Sequence, residues 1–299
     1  MTVILPVVLF VYNRPEHTRE TLEALLKNPE AERTDLWVFS DGPKTPEQES
    51  KVTEVRRLIE LFKGFHHVEL VKREKNFGLF NNIQKGLDRL FQEHEALIVL
   101  EDDLRPTPNF LAYMNGALAH YKDDQRVGSV CAYHYPADDP LPDGQDVFLF
   151  RRFTCWGWGS WRDRWQSIDW ALPSKKEFLK NKKLLTTLSQ ASNDLPEILL
   201  DRIEGRNASW SIVVGLDHVK KNQYCVHPTV SKVQNIGFDG SGTHSGTLTK
   251  HAARQENNSQ REFNWEAQVD SPWCRSAKKY FKNSLWRKAK NWLSVGRWF

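Results

Sequence analysis

Three carboxylates stand side by side in the stretch LIVLEDDLRPTPNFL, residues 97–111. They are Glu101, Asp102 and Asp103, and they follow an apolar run that predicts a buried strand. Neighbouring carboxylates raise one another's pKa, so such a cluster is either solvated at a turn or bound to a cation. The buried strand places its end at the ligand-binding edge of a sheet, which favours the cation. Mg²⁺ and Mn²⁺ prefer such oxygen ligands and complete their shell with substrate phosphates.

Further polar residues follow the other predicted strands. Arg14 follows the first strand and could neutralise a phosphate, although an ordinary surface charge is the alternative. Asp41 follows the second strand and could accept a hydrogen bond from a nucleobase N–H or a ribose hydroxyl, or simply form a turn. Asn76 and Gly78 follow the third strand and could contact a base or an anion, but a plain strand-to-helix turn explains them equally well.

Four tryptophans lie close together in the segment CWGWGSWRDRW, residues 155–165. Trp156 and Trp158 flank Gly157, and the spacing of the four mixes helical and strand periods. Two interpretations fit this pattern. The rings either fill a core or stack on the apolar face of a sugar.

The glycine-rich stretch GFDGSGTHS, residues 237–245, predicts a lid that closes over a ligand. Its glycines at 240 and 242 allow backbone conformations that other residues avoid, which suits a moving loop. Asp239 and His244 are the side chains of this loop that could take part in chemistry.

The elements that must position these residues are strands alternating with helices. Apolar runs that predict strands lie at residues 2–12, 34–41, 66–72, 96–103 and 127–133, and apolar residues at helical spacing lie between them. This alternation predicts an α/β fold with a mostly parallel central sheet, helices on both faces and right-handed crossovers. The candidate residues should then meet at the carboxyl edge of the sheet. Beyond residue 134 the less regular pattern predicts a cap that carries loops.

Length and composition set outer limits on the kind of protein. A chain of 299 residues with 39% hydrophobic residues can build one large α/β domain or two smaller ones. The four cysteines form no CxxC pair, so neither a zinc site nor a disulfide scaffold is expected. No run approaches about 20 apolar residues, and the amino terminus lacks a signal-peptide pattern, so we expect a cytoplasmic protein.

The carboxyl-terminal stretch concentrates positive charge. Residues 271–299 contain eight Lys or Arg and no acidic residue, which leaves a net charge of −4 for the rest of the chain. Phe281, Leu285, Ala289 and Trp292 would share one arc of a helix there. A basic amphipathic helix favours an anionic membrane surface, here the inner face of the cell membrane, and a helix docked on the domain is the alternative. No nucleic-acid partner is expected, because no RNA- or DNA-binding module is visible.

Together these features resemble the GT-A fold glycosyltransferases, whose Rossmann-like domain binds nucleotide sugars. Glu-Asp-Asp-Leu at 101–104, followed by Pro108 and Phe110, repeats the motif of the branch around eukaryotic N-acetylglucosaminyltransferase I and its bacterial surface-polysaccharide relatives. The resemblance covers most of residues 3–246. It implies a nucleotide-sugar-binding half (1–134) and an acceptor-binding half with the lid (135–250), followed by the basic tail (251–299).

The resemblance also implies roles on the donor side. Asp103 would bind the Mn²⁺ or Mg²⁺ that holds the diphosphate of a UDP-sugar. Asp102 and Glu101 would contact metal-bound water, ribose or sugar. Arg14 matches the family arginine after the first strand, and Asp41 matches the aspartate that reads the uracil.

On the acceptor side, the resemblance implies a binding pocket above the tryptophans. The pair Gly157-Trp158 matches a Gly-Trp pair beneath the acceptor, and Trp156 is expected beside it. His244, together with Gly237, matches the lid that orders over the donor.

The general base of the family is an acidic residue that directly follows a tryptophan. Counting back from the shared Pro228 makes Trp210 that tryptophan, which we also expect at the acceptor site, and Ser211 then occupies the place of the base. A serine cannot act as this base without help. Asp239 and Asp217 are the nearest alternatives, and the resemblance favours inversion of the anomeric centre.

We therefore expect a metal-dependent glycosyltransferase that moves a sugar from a UDP-sugar, or another nucleotide diphosphate sugar, to a glycan or lipid-linked glycan in bacterial O-antigen or capsule synthesis. One alternative is a sugar nucleotidyltransferase, but this chain has Asn13-Arg14-Pro15-Glu16 where those enzymes carry a glycine- and lysine-rich loop. Another alternative is a non-catalytic carbohydrate-binding or membrane-active protein that uses the tryptophans and the tail.

Overall fold

The computed structural model of this protein describes residues 3–135, 144–240, 262–269 and 272–281. In these ranges the strands are β1 (Val7–Val11), β2 (Asp35–Ser40), β3 (His67–Lys72), β4 (Ala96–Glu101), β5 (Leu104–Pro106), β6 (Val127–Cys131), β7 (Val147–Phe150), β8 (Trp158–Trp161), β9 (Tyr224–Pro228) and β10 (Val233–Asn235). The α-helices are α1 (Pro15–Leu26), α2 (Glu49–Leu61), α3 (Leu79–Leu90), α4 (Phe110–His120), α5 (Arg162–Gln166), α6 (Lys175–Lys180), α7 (Lys182–Ala191), α8 (Leu195–Ile203), α9 (Ser211–Lys220) and α10 (Pro272–Tyr280).

Eight of the described strands form one central sheet in the order β3-β2-β1-β4-β8-β6-β9-β7. Strand β1 pairs in parallel with β2 and β4, and β2 pairs in parallel with β3. Strand β8 is antiparallel to its neighbours β4 and β6, and β7 is antiparallel to β9. Strands β6 and β9 are also parallel, so four of the seven pairings in the sheet are parallel, and the sheet is mostly parallel, as the alternation of strands and helices predicts.

Helices cover both faces of the sheet, which explains why the residues of β1 are all buried. Val7 and Leu9 belong to a core cluster with residues of α1, α2 and α4. Val8 and Phe10 point the other way, into a second cluster with residues of α3 and α9. A strand buried on both faces has no polar side, so it reads as a continuous apolar run. The structure confirms the α/β, GT-A-like fold class.

The second half of the chain contributes more to the sheet than its irregular pattern suggests. Strands β7, β8 and β9 of this half join β6 in extending the sheet beyond β4, and β8 inserts between β4 and β6. Helices α6, α7 and α8 form a third apolar cluster with α9. The two halves predicted from the sequence therefore share one continuous sheet.

The segment after residue 261 returns to the domain. Trp265 packs on α4 at Gly116, where a Cβ would overlap its ring. Val269 bridges to Leu149 of β7, and the thiol of Cys274 in α10 donates to the Leu149 carbonyl oxygen at 3.2 Å. Residues 262–269 and 272–281 thus pack on the domain, while the rest of the predicted membrane-binding arc lies outside the described residues. No helix in the described ranges is long and apolar enough to cross a bilayer.

Candidate active site

The acidic cluster lies beside the end of the first strand. Strands β1 and β4 are parallel neighbours, and their register places Phe10 opposite Glu101. The residues that follow each strand therefore emerge side by side at the carboxyl edge. This brings Arg14, from the start of α1, onto Asp102 and Asp103.

Arg14 connects the two aspartates. Its Nη2 atom hydrogen-bonds to Oδ1 of Asp102 and lies 3.1 Å from Oδ2 of Asp103. The other oxygen of Asp102 accepts the backbone N–H of Tyr12 at 3.2 Å, and Thr21 donates to the Asp102 carbonyl oxygen at 2.9 Å. Asp102 is buried and engaged on both oxygens, whereas the Asp103 side chain keeps 16% of its surface exposed. Asp103 is thus the carboxylate with room for a further ligand.

Burial and mutual repulsion shape the protonation of the cluster. Burial, and then the charges of Asp103 and Asp102, raise the pKa of Glu101 to about 8, although Arg14 opposes the shift. Burial also raises the pKa of Asp102, again against Arg14. Burial alone would lower the pKa of Arg14, but the two aspartates outweigh it and the net shift is upward. The guanidinium therefore stays charged and offsets part of the negative charge.

A short antiparallel pair, β5 with β10, holds the beginning of the glycine-rich loop over this cluster. The N–H of Ile236 donates to the carbonyl oxygen of Asp103 at 2.8 Å. Gly237 follows, and a Cβ built there would overlap Oδ2 of Asp103. Only glycine lets the loop backbone approach the Asp103 carboxylate this closely.

The next two loop residues, Phe238 and Asp239, contact different parts of the domain: the tryptophan segment and helix α1. The ring of Phe238 lies 5.6 Å from that of Trp156, and Oδ2 of Asp239 lies 3.2 Å from Nε2 of His17 on α1. Asp239 keeps 49% of its side chain exposed. The described part of the loop, residues 235–240, thus spans from α1 to the tryptophan segment. His244 lies outside the described residues.

Asp41 organises the loop between β3 and α3. Its Oδ1 accepts the N–H groups of Gly42 and Phe77 at 2.9 and 2.7 Å, and its Oδ2 accepts that of Gly78 at 2.9 Å. A carboxylate has about four lone-pair sites, so about one remains for a ligand. Asn76 donates to the Gly42 carbonyl oxygen at 2.8 Å, which closes the same turn. Gly78 adopts a φ of 73°, a conformation that favours glycine.

Arg73 lies at the rim of this turn. Its guanidinium stacks over Phe77 and Phe39, at 4.8 and 5.2 Å from the ring centroids, and its Nε donates to Asn82 Oδ1 at 3.0 Å. Its Nη2 atom is buried and has no hydrogen-bond partner within the described part of the chain. Arg73 is therefore a donor with unused capacity beside Asp41. The sequence does not distinguish Arg73, because its position beside the Asp41 turn depends on the pairing of β2 with β3.

Some of the tryptophans lie in the core, and Trp156 lies beside the glycine-rich loop. Trp158 and Trp210 are 1% and 4% exposed and pack on each other and on Phe153, with ring centroids 5.2 to 5.9 Å apart. We therefore correct their assignment as acceptor contacts, because neither ring presents a surface to a substrate. Trp156 is half-buried and contacts the loop. Gly157, at φ 65°, is a packing position where a Cβ would press on the side chain of Val233.

Asp217 is also corrected as a candidate base. It is 2% exposed, its Oδ1 accepts the N–H of Asp169 at 3.0 Å, and its Oδ2 lies 2.7 Å from Nζ of Lys221. Helix α9 begins at the carboxyl edge and leads to the start of β9, so Asp217 lies two turns away from that edge. It fastens α9 to the segment around Asp169.

The first residue of α9 does lie near the acidic cluster. Ser211 hydrogen-bonds to the hydroxyl of Ser209 at 3.1 Å and lies beside the thiol of Cys155, on which the charges of Glu101 and Asp103 act. Burial, with those charges, raises the pKa of Cys155. The position expected for the base from the resemblance therefore lies near the acidic cluster, but it holds a neutral hydroxyl. His17 and Cys155 are site residues that the sequence analysis missed, although His17 follows Arg14 by one helical turn and this spacing could have revealed it.

With the geometry established, the chain can be compared with known proteins. A family model described as Glycosyl transferase family 2 matches residues 7–184. Among curated protein sequences, none matches this chain. Solved structures similar to it include two at 11% identity: TarS of S. aureus, with a TM-score of 0.37 over 69% of this chain and 44% of TarS, and UDP-glucose pyrophosphorylase complexed with UDP-glucose, with a TM-score of 0.41 over 78% of this chain and 94% of that one. Both similarities are too low to support an inference about function.

Proposed function

Because this chain belongs to glycosyl transferase family 2 and is thus a glycosyltransferase, we propose that it moves a sugar from UDP-sugar to a hydroxyl group of a glycan, with a divalent cation as cofactor. The observation that carries this proposal is the Arg14 guanidinium, which is bound to Asp102 and lies 3.1 Å from the more exposed Asp103. One cation is thus fixed beside a carboxylate with room for another. Such a pair can stabilise a leaving diphosphate.

The donor atoms fit Mn²⁺ or Mg²⁺ through Asp103. These ions use few protein carboxylates and complete their coordination with water and phosphate oxygens. Asp102 is already engaged by Arg14 and Tyr12, so its part is to orient Arg14 rather than to bind the metal. When bound, the ion would supply Lewis-acid stabilisation of the diphosphate. Arg14 adds a second positive charge at the position where negative charge develops.

Asp41 and Arg73 support UDP as the nucleotide. A remaining lone pair of the Asp41 carboxylate can accept the N–H of a pyrimidine such as uracil. The buried Nη2 of Arg73 can donate to a neighbouring carbonyl oxygen of the same base. Asp41 directly follows β2 and Arg73 directly follows β3, so both lie at the edge of the sheet where Arg14 follows β1. A nucleotide that spans from the Asp41 turn to Arg14 would place its diphosphate at Asp103.

Asp239 is the base that we propose for deprotonating the acceptor hydroxyl. It lies on the loop that covers Asp103, is half exposed, and contacts His17 at 3.2 Å. A carboxylate in this position can take the proton of an attacking hydroxyl, as an inverting displacement requires. Ser211 has no such capacity. The acceptor would lie between Asp239 and Trp156.

The acceptor that we propose is a glycan or lipid-linked glycan of bacterial surface-polysaccharide synthesis, handled by an enzyme of the N-acetylglucosaminyltransferase I branch. This proposal is supported by the motif Glu-Asp-Asp-Leu at 101–104, which lies at the end of the buried strand β4. The basic stretch 271–299 would hold the enzyme peripherally at the cytoplasmic face of the membrane, near a lipid-linked acceptor.

Isothermal titration with UDP, with and without Mn²⁺, tests the proposal. We expect UDP to bind only weakly without the ion, and Asp103→Asn to abolish the dependence on Mn²⁺. A panel of nucleotide sugars with Mn²⁺ then identifies the donor by its hydrolysis. Glycan binding that is indifferent to UDP and metal would contradict the proposal, and so would release of pyrophosphate from UTP and a sugar phosphate.

A further inference from the structure

Three potential metal ligands meet in the core, on strands β6 and β9. The Sγ atoms of Cys131 and Cys225 and a ring nitrogen of His227 all lie within 4.8 Å of one another. All three residues are 0% exposed, and both cysteines are free thiols. In the part of the chain that the structure describes, no other three His, Cys, Asp or Glu side chains come this close together.

The strand register produces this cluster. Strands β6 and β9 are parallel, with Ser129 opposite Cys225 and Val130 opposite Val226. Side chains alternate between the faces of a sheet, so Cys131, Cys225 and His227 all project to the same face. Ligands that come from separate strands leave no CxxC pattern, which is why the sequence predicts no zinc site.

The orientation of His227 is the second observation that points to a ligand. Its Nε2 lies 2.9 Å from the carbonyl oxygen of Arg152 and donates to it, so in the neutral ring Nδ1 carries the lone pair. Histidines that bind metals usually donate their other N–H to a backbone carbonyl or a carboxylate in this way. Nδ1 also lies 3.3 Å from the carbonyl oxygen of Tyr133. Two facing lone pairs repel, so a proton or a metal ion is needed beside Nδ1.

We propose that Cys131, Cys225 and His227 bind a thiophilic d¹⁰ metal ion, Zn²⁺ or Cu⁺. Thiolate and imidazole are the ligands that such ions prefer. Two thiolates and a neutral imidazole would balance the charge of Zn²⁺, which matters in a dry core because an unbalanced charge is costly to bury. Three ligands are one fewer than the usual four of a structural zinc site, so Cu⁺ is the other member of the same chemical class.

The ion would connect the carboxyl ends of β6 and β9 to Arg152, in the segment between β7 and β8. It lies in the core, apart from the acidic cluster, and it does not depend on the proposed transferase activity. Because the ligands are fully buried, the ion would enter during folding. Its presence can therefore be tested on the purified full chain without any substrate.

The first experiment is elemental analysis of the chain purified without chelators from cultures supplemented with zinc or with copper. We expect about one equivalent of one of the two ions per chain, and the supplemented cultures distinguish Zn²⁺ from Cu⁺. Cys131→Ser and His227→Gln should lose it. Cys274→Ala is the matched control, because it removes a buried thiol that contacts the Leu149 carbonyl instead of this cluster.

The second experiment covers the case in which the Cys131→Ser variant fails to fold. The wild-type chain is refolded with Co²⁺, and we expect thiolate-to-cobalt charge-transfer absorption, which the Cys274→Ala control retains. A metal-free protein that also gives no such absorption would overturn the proposal and assign a proton to Nδ1. Metal content that survives in a Cys131→Ser/Cys225→Ser double variant would overturn it as well.

Discussion

The backbone N–H of Ile236 donates to the carbonyl oxygen of Asp103 at 2.8 Å, and this bond brings Gly237 onto the Asp103 carboxylate. The loop over the site is therefore fastened to the residue that we propose as the metal ligand. A change in the loop backbone should therefore shift the position of that carboxylate.

Replacing Gly237 with alanine tests this connection. The added Cβ would overlap Oδ2 of Asp103, so either the loop or the carboxylate must move. Overpacking of this kind costs about 1–3 kcal/mol, so we expect Mn²⁺-dependent UDP affinity to fall by about tenfold or more. Gly215→Ala is the control, because its Cβ would meet only Phe153, at 3.8 Å, inside α9. Equal UDP affinity in both variants would contradict the connection.

Substitutions of Asp102 and Asp103 should have different effects, one mainly on stability and the other mainly on Mn²⁺-dependent UDP binding. Asp103→Asn is expected to remove Mn²⁺-dependent UDP binding with little change in melting temperature, because Asp103 is partly exposed. Asp102→Asn replaces the charged partner of Arg14 with a neutral one and should destabilise the fold by about 2 kcal/mol, the contribution of a hydrogen bond to a charged group. Thermal unfolding and titration of both variants check the pair. Loss of stability in Asp103→Asn, with UDP binding retained, would reverse the two roles.

Asp41→Asn should damage the turn that we propose for the nucleobase. The carboxylate accepts three backbone N–H groups, and an asparagine would turn an N–H₂ group toward at least one of them. An unmet buried donor costs about 1–3 kcal/mol, so both stability and UDP affinity should fall. Arg73→Lys is the comparison, because it removes the planar donor and leaves the Asp41 hydrogen bonds in place. We expect it to weaken UDP binding with a smaller loss of stability.

The sequence predicts that Arg14, Asp41 and the acidic cluster lie at the carboxyl edge of the sheet, and the structure places them there for a physical reason. A continuous apolar run such as 96–101 identifies a strand buried on both faces, and parallel strands expose their ends at one edge. Arg14, Asp41 and the acidic cluster follow directly from that rule. Their meeting needs only the order of adjacent strands, which local patterns indicate.

The acceptor side was beyond the reach of sequence patterns. Trp158 is a core residue because β8 inserts antiparallel between β4 and β6, and Trp210 is buried because it packs on Trp158. Neither contact is visible in the periodicity of the local sequence. Asp217 was misplaced because a helical pattern does not tell which end of α9 lies at the edge. The pairing of Cys131 with His227 depends on register between strands that lie far apart in sequence. All of these are long-range relationships.

Two buried histidines predict loss of stability in acid. Burial lowers the pKa of His218 to about 4 and that of His134 to about 3, from an ordinary value near 6.5. Between these values the unfolded chain binds more protons than the folded one, so stability falls as the pH drops below about 6.5. At pH 5 the loss should be on the order of 2 kcal/mol for each histidine.

Unfolding by urea at pH 7.5 and pH 5 measures this loss. His218→Gln can still hydrogen-bond to Ser129, as the His218 Nε2 atom does at 2.8 Å, but it cannot be protonated. We expect it to flatten the pH dependence between the two conditions. An unchanged difference would show that His218 does not contribute to it.

The identity of the base can be decided by comparing Asp239→Asn, Ser211→Ala and His17→Gln. Each is assayed as hydrolysis of the donor sugar nucleotide, in which water takes the place of the acceptor and must lose a proton. Loss of a general base costs about 10²- to 10⁴-fold in turnover, so we expect the turnover of Asp239→Asn to fall by a factor in that range while its UDP affinity is preserved.

His17→Gln should have a smaller effect, because it only removes the contact that holds Asp239. Ser211→Ala should stay within a few-fold of wild type, since the hydroxyl hydrogen-bonds to Ser209 and takes no proton. If Ser211→Ala abolished turnover and Asp239→Asn did not, the base would belong at the start of α9.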